Sequence, residues 1–225
     1  MHRRIVLGVA IGGALLLVLD AVAVRADIAT GAVPTLAGPS LWITSRAAGV
    51  TAFLALTLDV VFGLFMSTGA ADRLVPRARS VEVHRWLSTV ALALTAMHAL
   101  VLIGDRYVRF DVLDVLVPFL SSYRSLAIGL GVLAAYGALV VHASFGLRRR
   151  LGARTWRKLH YLSFVVFAAA LAHGLLAGSD RDAPGMQALY VVCLTVVASL
   201  VVFRTVARPA RGLRAAARRA DRPAG

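Results

Sequence analysis

The chain has 225 residues, 59% of them hydrophobic, with a mean hydropathy of +0.78. Soluble domains are usually about half apolar at most, and here the apolar residues gather in blocks of about 20, the length that crosses a ~30 Å hydrocarbon core. A net charge of +14 would suggest nucleic acid in a soluble protein, but the basic residues cluster in alternate loops, an orientation signal, and no element that could read bases is present.

Six spans are predicted, in a bundle that is all-α and integral to the membrane. The first, roughly Arg4–Val24, follows a basic start, and Ala21-Val22-Ala23 resembles a signal-peptidase site. Its apolar stretch is close to a full span, so an uncleaved helix is expected; cleavage would leave five spans and the same later topology. The second is roughly Ser45–Ser67 and the third Val83–Ile103. The stretch Asp105–Tyr123 is long and partly apolar, and is expected to lie on the membrane surface or fold over the bundle. The fourth span is roughly Ser125–Leu147, the fifth Leu159–Ala177 and the sixth Gln187–Val206. From Ala207 the chain is rich in Arg, Ala and Pro, as expected of a disordered tail or a basic surface helix drawn to anionic lipid. The single cysteine, Cys193, excludes an internal disulfide and a cysteine-based metal site; in its apolar run it reads as a packing residue.

Charge sets the orientation. Nineteen Arg and Lys residues fall at the N-terminus, between the second and third spans, between the fourth and fifth, and in the tail, against six (Arg25, Arg46, Arg106, Arg109, Arg124 and Arg181) on the opposite side. The basic side is expected to be cytoplasmic, with both termini inside. The opposite loops carry Asp27, Asp105, Asp111, Asp114, Asp180 and Asp182.

The histidines carry the chemistry. His2 is terminal and His142 stands alone in the fourth span, but His84 and His98 lie 14 residues apart in the third span, and His160 and His173 lie 13 apart in the fifth. Ionisable groups inside a membrane are costly and usually functional. The two spans run in the same direction, so His84 and His160 share the cytoplasmic level, and His98 and His173 the outer one. At 1.5 Å per residue the levels are ~20 Å apart. Two histidines from facing helices at one depth can supply both axial ligands of a haem. A spacing of 14 keeps two side chains within about 40° of one helix face; a spacing of 13 does not, so a bulge or kink in the fifth span, or a lateral offset of the haems, is expected.

With these histidines, Ser45-Arg46-Ala47-Ala48-Gly49, His84-Arg85-Trp86, Pro118-Phe119 before Tyr123-Arg124, and Trp156-Arg157-Lys158-Leu159-His160, the chain resembles the ferric reductase-like transmembrane domain. That domain is shared by NADPH oxidases, ferric-chelate reductases and short bacterial relatives. The resemblance covers roughly residues 40–180. It divides the chain into a first helix and outer loop (1–40), a haem-binding core (41–180), a sixth helix (181–206) and a basic cytoplasmic tail (207–225).

The resemblance implies two b-type haems, ligated through iron by His84 with His160 and by His98 with His173, and electrons moving outward. It places Arg46 near the outer haem's propionates, which a guanidinium can bind bidentately, or else as an anchor at the headgroups. Arg85, Arg154 and Arg157 stand in the same relation to the inner haem, or simply on the positive side. No G-x-G-x-x-G follows a strand, so flavin and nicotinamide chemistry are expected on a partner. In this the chain is similar to the short relatives, including the membrane subunit of periplasmic methionine sulfoxide reductase. The donor is then a cytoplasmic flavin reductase or a quinol, and the acceptor a ferric chelate, dioxygen or a partner enzyme at the outer face of the plasma membrane. The alternative is a non-redox transporter or assembly protein using its histidines for protons or metal, although the spans lack the broken-helix pairs of many transporters. No catalytic triad, phosphate loop or carboxylate pair stands out.

Two further features bear on packing. Asp59, an acid in the cytoplasmic half of the second span, is expected to pair or to stay protonated, with His142 as the candidate partner. Gly129, Gly131 and Gly137 read first as points of close helix approach, or else as room beside a flat macrocycle.

Overall fold

The computed structural model describes residues 39–68, 75–104 and 110–220. The first predicted span, Arg4–Val24, lies outside these residues, as do Asp27 and Asp105. Every described element is a helix: α1 (Pro39–Thr68), α2 (Arg77–Ile103), a short α3 (Val112–Leu116), α4 (Ser125–His160), α5 (Leu162–Ala177) and α6 (Pro184–Ala220). The tail thus continues the last helix well past Ala207.

Four described runs are long and apolar enough to cross a membrane: Leu41–Thr68, Arg77–Ile103, Ser125–Ala177 and Pro184–Val206. The third has 53 residues and would reach ~80 Å if straight, far beyond a ~30 Å core. It doubles back at Gly152, whose φ of 75° and ψ of 154° break the helix in a region that favours glycine. Pairs on either side of that glycine meet: Phe145 with Trp156, Gly137 with Val166, and Gly131 with His173. Its two arms are the predicted fourth and fifth spans, and the turn carries the basic run Arg148–Arg150.

Hydroxyls within the spans are satisfied by their own helix, as a membrane interior requires: Thr57 donates to Phe53 O at 2.8 Å and Thr95 to Ala91 O at 2.8 Å. Leu58, Leu100, Leu126, Val165 and Val191 stand more than half exposed, the outward apolar surface of a protein whose helices contact lipid. Inside, Phe53, Val60 and Leu64 of α1 pack with Phe167 and Leu171 of α5 and with Tyr190, Cys193 and Val197 of α6. Cys193 is therefore a buried packing residue.

α1 and α2 run antiparallel, Ser45 meeting His98 and Asp59 meeting His84, while α2 and α5 run in the same direction. Residues 110–124 fold over one end of the bundle. Phe110 is buried and meets Tyr123 edge-on, the Tyr136 hydroxyl donates to Leu116 O, and Arg124 donates to Leu176 O at 2.8 Å. Phe119 fills a notch that a side chain at Gly129 would close. Val112 and Leu113 of α3 point outward.

Candidate functional site

His98 and His173 come from α2 and α5, with ring centres 6.1 Å apart and planes inclined at 76°. The Nδ1 of His98 lies 2.7 Å from the carbonyl oxygen of Ser45, and that of His173 lies 2.8 Å from the carbonyl oxygen of Ala127. A carbonyl only accepts, so each Nδ1 carries the proton and each Nε2 keeps its lone pair. Ser45 closes the arrangement by donating from its hydroxyl to His98 O at 3.1 Å.

His84 and His160 repeat the pattern at the other level, with ring centres 6.0 Å apart and planes inclined at 74°. Here the partner of Nδ1 is a side chain: Asp59 Oδ1 lies 2.7 Å from His84 Nδ1. The pair is close but not aligned as a hydrogen bond, and neither atom has a hydrogen-bond partner among the described residues. His160 stacks on Trp156, with ring centres 5.0 Å apart and planes at 25°. His160 Nδ1 and Trp156 Nε1 are buried without a hydrogen-bond partner among the described residues.

Three of the four rings rest on glycine. A Cβ at Gly49 would stand 2.9 Å from His98 Nδ1, one at Gly131 2.6 Å from His173 Nδ1, and one at Gly63 3.2 Å from His84 Cε1. In each case the Nδ1 partner precedes the glycine by four residues, one helical turn: Ser45 and Gly49, Asp59 and Gly63, Ala127 and Gly131. On α1 the two units are offset by 14 residues, the same offset that separates the histidines of the antiparallel α2. The helix pair therefore presents two equivalent seats at two depths.

Between His160 and His173 the chain stays helical through Tyr161, at φ −65° and ψ −16°. α4 ends at His160 and α5 begins at Leu162. At the join Tyr161 N bonds to both Arg157 O and Lys158 O, a tightened turn.

This geometry suits a metal with two trans imidazoles. A metal–nitrogen bond of ~2.0–2.1 Å, with the ring centre about 1.1 Å behind its nitrogen, puts two such rings about 6.3 Å apart. No third His, Cys, Asp or Glu completes a metal site among the described residues, so the metal would have to bring its remaining ligands, as a porphyrin does. The four rings line one cavity of about 900 Å³, together with Ala91, Ala135, Ala138 and Ala170, whose small side chains leave room for a flat macrocycle.

The remaining predicted residues fall as follows. Arg46 lines the same cavity and pairs with Asp180. Arg85 lies over the Phe145 ring, 4.8 Å from its centre, and Arg157 also lines the cavity. The expected contact between Asp59 and His142 is not made. Asp59 turns to His84, while His142 Nδ1 lies 2.7 Å from the Ser88 hydroxyl. Shared depth had suggested that pairing, but depth does not fix azimuth, and Asp59 shares a face with Gly63 toward α2. Gly131, read as a point of helix packing or as room beside a macrocycle, is a seat for the His173 ring. Ser45, Gly49, Gly63 and Trp156 were not singled out for these roles, although the 14-residue offset on α1 was there to be found.

Comparison with curated proteins and with solved structures returned no match. A family model described as "Ferric reductase like transmembrane component" matches residues 48–171, more than half of the chain, including His84, His98 and His160. The chain belongs to the ferric reductase-like transmembrane component family.

Proposed function

We propose that this membrane protein carries electrons across the plasma membrane on two b-type haems, the inner held by His84 and His160 and the outer by His98 and His173. Family membership points to membrane electron transfer. The observation that carries the finer reading is the pair of facing imidazoles at each of two levels, 6.0 and 6.1 Å between ring centres. Bound haem would supply one-electron chemistry at its iron.

The chain's own residues supply the rest. Ser45 and Ala127 hold the two outer imidazoles in the tautomer that leaves Nε2 for the metal, and Asp59 faces Nδ1 of the third. Trp156 fixes the plane of the fourth by stacking. The apolar walls exclude water, and Arg46 at the outer mouth would bind a propionate in place of Asp180. The arginine-rich side faces the cytoplasm, with six spans and both termini inside. A flavin reductase or a quinol supplies electrons there, and a ferric chelate, dioxygen or a partner reductase takes them at the outer face.

Protein purified from haem-replete cells tests this. It should be red, show b-type bands after dithionite, and carry two haems per chain. A colourless preparation refutes the reading.

A further inference from the structure

The two levels differ in what faces the Nδ1 atoms of their imidazoles. At the outer level both acceptors are backbone carbonyls, Ser45 O and Ala127 O. At the inner level His160 Nδ1 has no hydrogen-bond partner among the described residues, and His84 Nδ1 faces the carboxylate of Asp59, 2.7 Å away and only 8% exposed. Ser45 and Asp59 occupy equivalent places, 14 residues apart and each one turn before a glycine seat. A neutral acceptor thus serves the outer level, whereas the inner level keeps a carboxylate inside a membrane span, where it is costly. Orienting the ring does not require it.

A carboxylate does to an axial imidazole what a carbonyl cannot. It draws the Nδ1 proton toward itself, makes the ring a stronger donor, and places a negative charge a few ångströms from the metal. Both effects favour the oxidised over the reduced metal, since the oxidised form carries one more positive charge. Hydrogen bonding and local charge are established means of setting haem potential.

We infer that Asp59 is a positioning residue that lowers the reduction potential of the inner haem relative to the outer one, so that a single electron arriving from the cytoplasmic side passes outward downhill. No bond forms or breaks: the inner iron returns to ferric as the outer becomes ferrous. The inference rests on the dihaem reading above.

The test is a potentiometric titration of purified protein, followed in the b-type bands, for the parent, Asp59→Asn and Asp59→Glu. Asn keeps an acceptor oxygen and removes the charge; Glu keeps the charge. Asp59→Asn should shift the equilibrium of the lower-potential haem toward its reduced form by tenfold or more, which is 59 mV for one electron. The other haem should stay in place, and Asp59→Glu should restore most of the difference. If both haems are present and Asp59→Asn moves neither, or moves the higher one, the inference is overturned while the dihaem reading stands. If Asp59→Asn fails to hold the inner haem, His98→Ala decides. It keeps the inner haem alone, whose potential should match the lower parental step; a match to the higher step overturns the inference. A parent without haem would instead remove the reading beneath it.

Discussion

Replacing Gly131 by Ala adds one methyl group to α4 and should cost the protein its outer haem. The new Cβ would stand 2.6 Å from His173 Nδ1, 2.8 Å from Cε1 and 3.0 Å from Cγ, where ordinary contact needs about 3.5 Å. The imidazole must retreat by about 1 Å, which carries Nδ1 from 2.8 Å to well beyond hydrogen-bonding distance of Ala127 O. A lost hydrogen bond costs about 1 kcal/mol, and the buried donor left behind about 1–3 kcal/mol. The retreat also closes the 6.1 Å gap to His98 to about 5 Å, too narrow for two trans imidazoles on one metal. Loss of a partner to a metal-binding histidine lowers metal affinity by about 10–100-fold. Local helix propensity works the other way, since Ala is favoured over Gly by about 1 kcal/mol, so a loss cannot be assigned to a weakened helix. The assay is haem per chain, with the reduced spectrum recorded alongside. Gly146→Ala is the control, because a Cβ there meets nothing within 4 Å. A Gly131→Ala protein that retains both haems at parental affinity would refute the reasoning.

Gly49→Ala, with its Cβ 2.9 Å from His98 Nδ1, should also weaken the outer haem, and Gly63→Ala, at 3.2 Å from His84 Cε1, should weaken the inner one less; haem titration of the apoproteins ranks them. Ser45→Ala should lower thermal stability by about 0.5–1.5 kcal/mol and leave haem content unchanged, because the acceptor of His98 Nδ1 is the backbone carbonyl, which survives. Trp156→Ala removes the stacking surface of His160 and should broaden and weaken the inner haem signal alone in low-temperature spectra, while Trp156→Phe should retain it.

Much of this arrangement was legible in the sequence. The 14-residue spacing of His84 and His98, together with the direction of the spans, gave the pairing of the rings. The basic run at Arg148–Arg150 marked the turn between the fourth and fifth spans, although it did not mark Gly152 as the residue that makes it. The seats were harder to read. Ser45, Gly49, Asp59 and Gly63 each have ordinary uses in a membrane helix, and only their shared 14-residue offset with the histidines separates them from packing residues. Asp59 was assigned a partner by depth, and the partner changed because azimuth was decided by α2 lying against that face. The tightened turn at Tyr161 depends on a backbone N–H shared between two carbonyls, which no residue type there announces.

The central claim is tested most directly by haem stoichiometry in the parent, His98→Ala and His84→Ala. Two b-type haems per chain in the parent and one in each variant, with distinct reduced spectra for the two survivors, is the predicted result. A parent with no haem, or with haem that neither substitution removes, would contradict it.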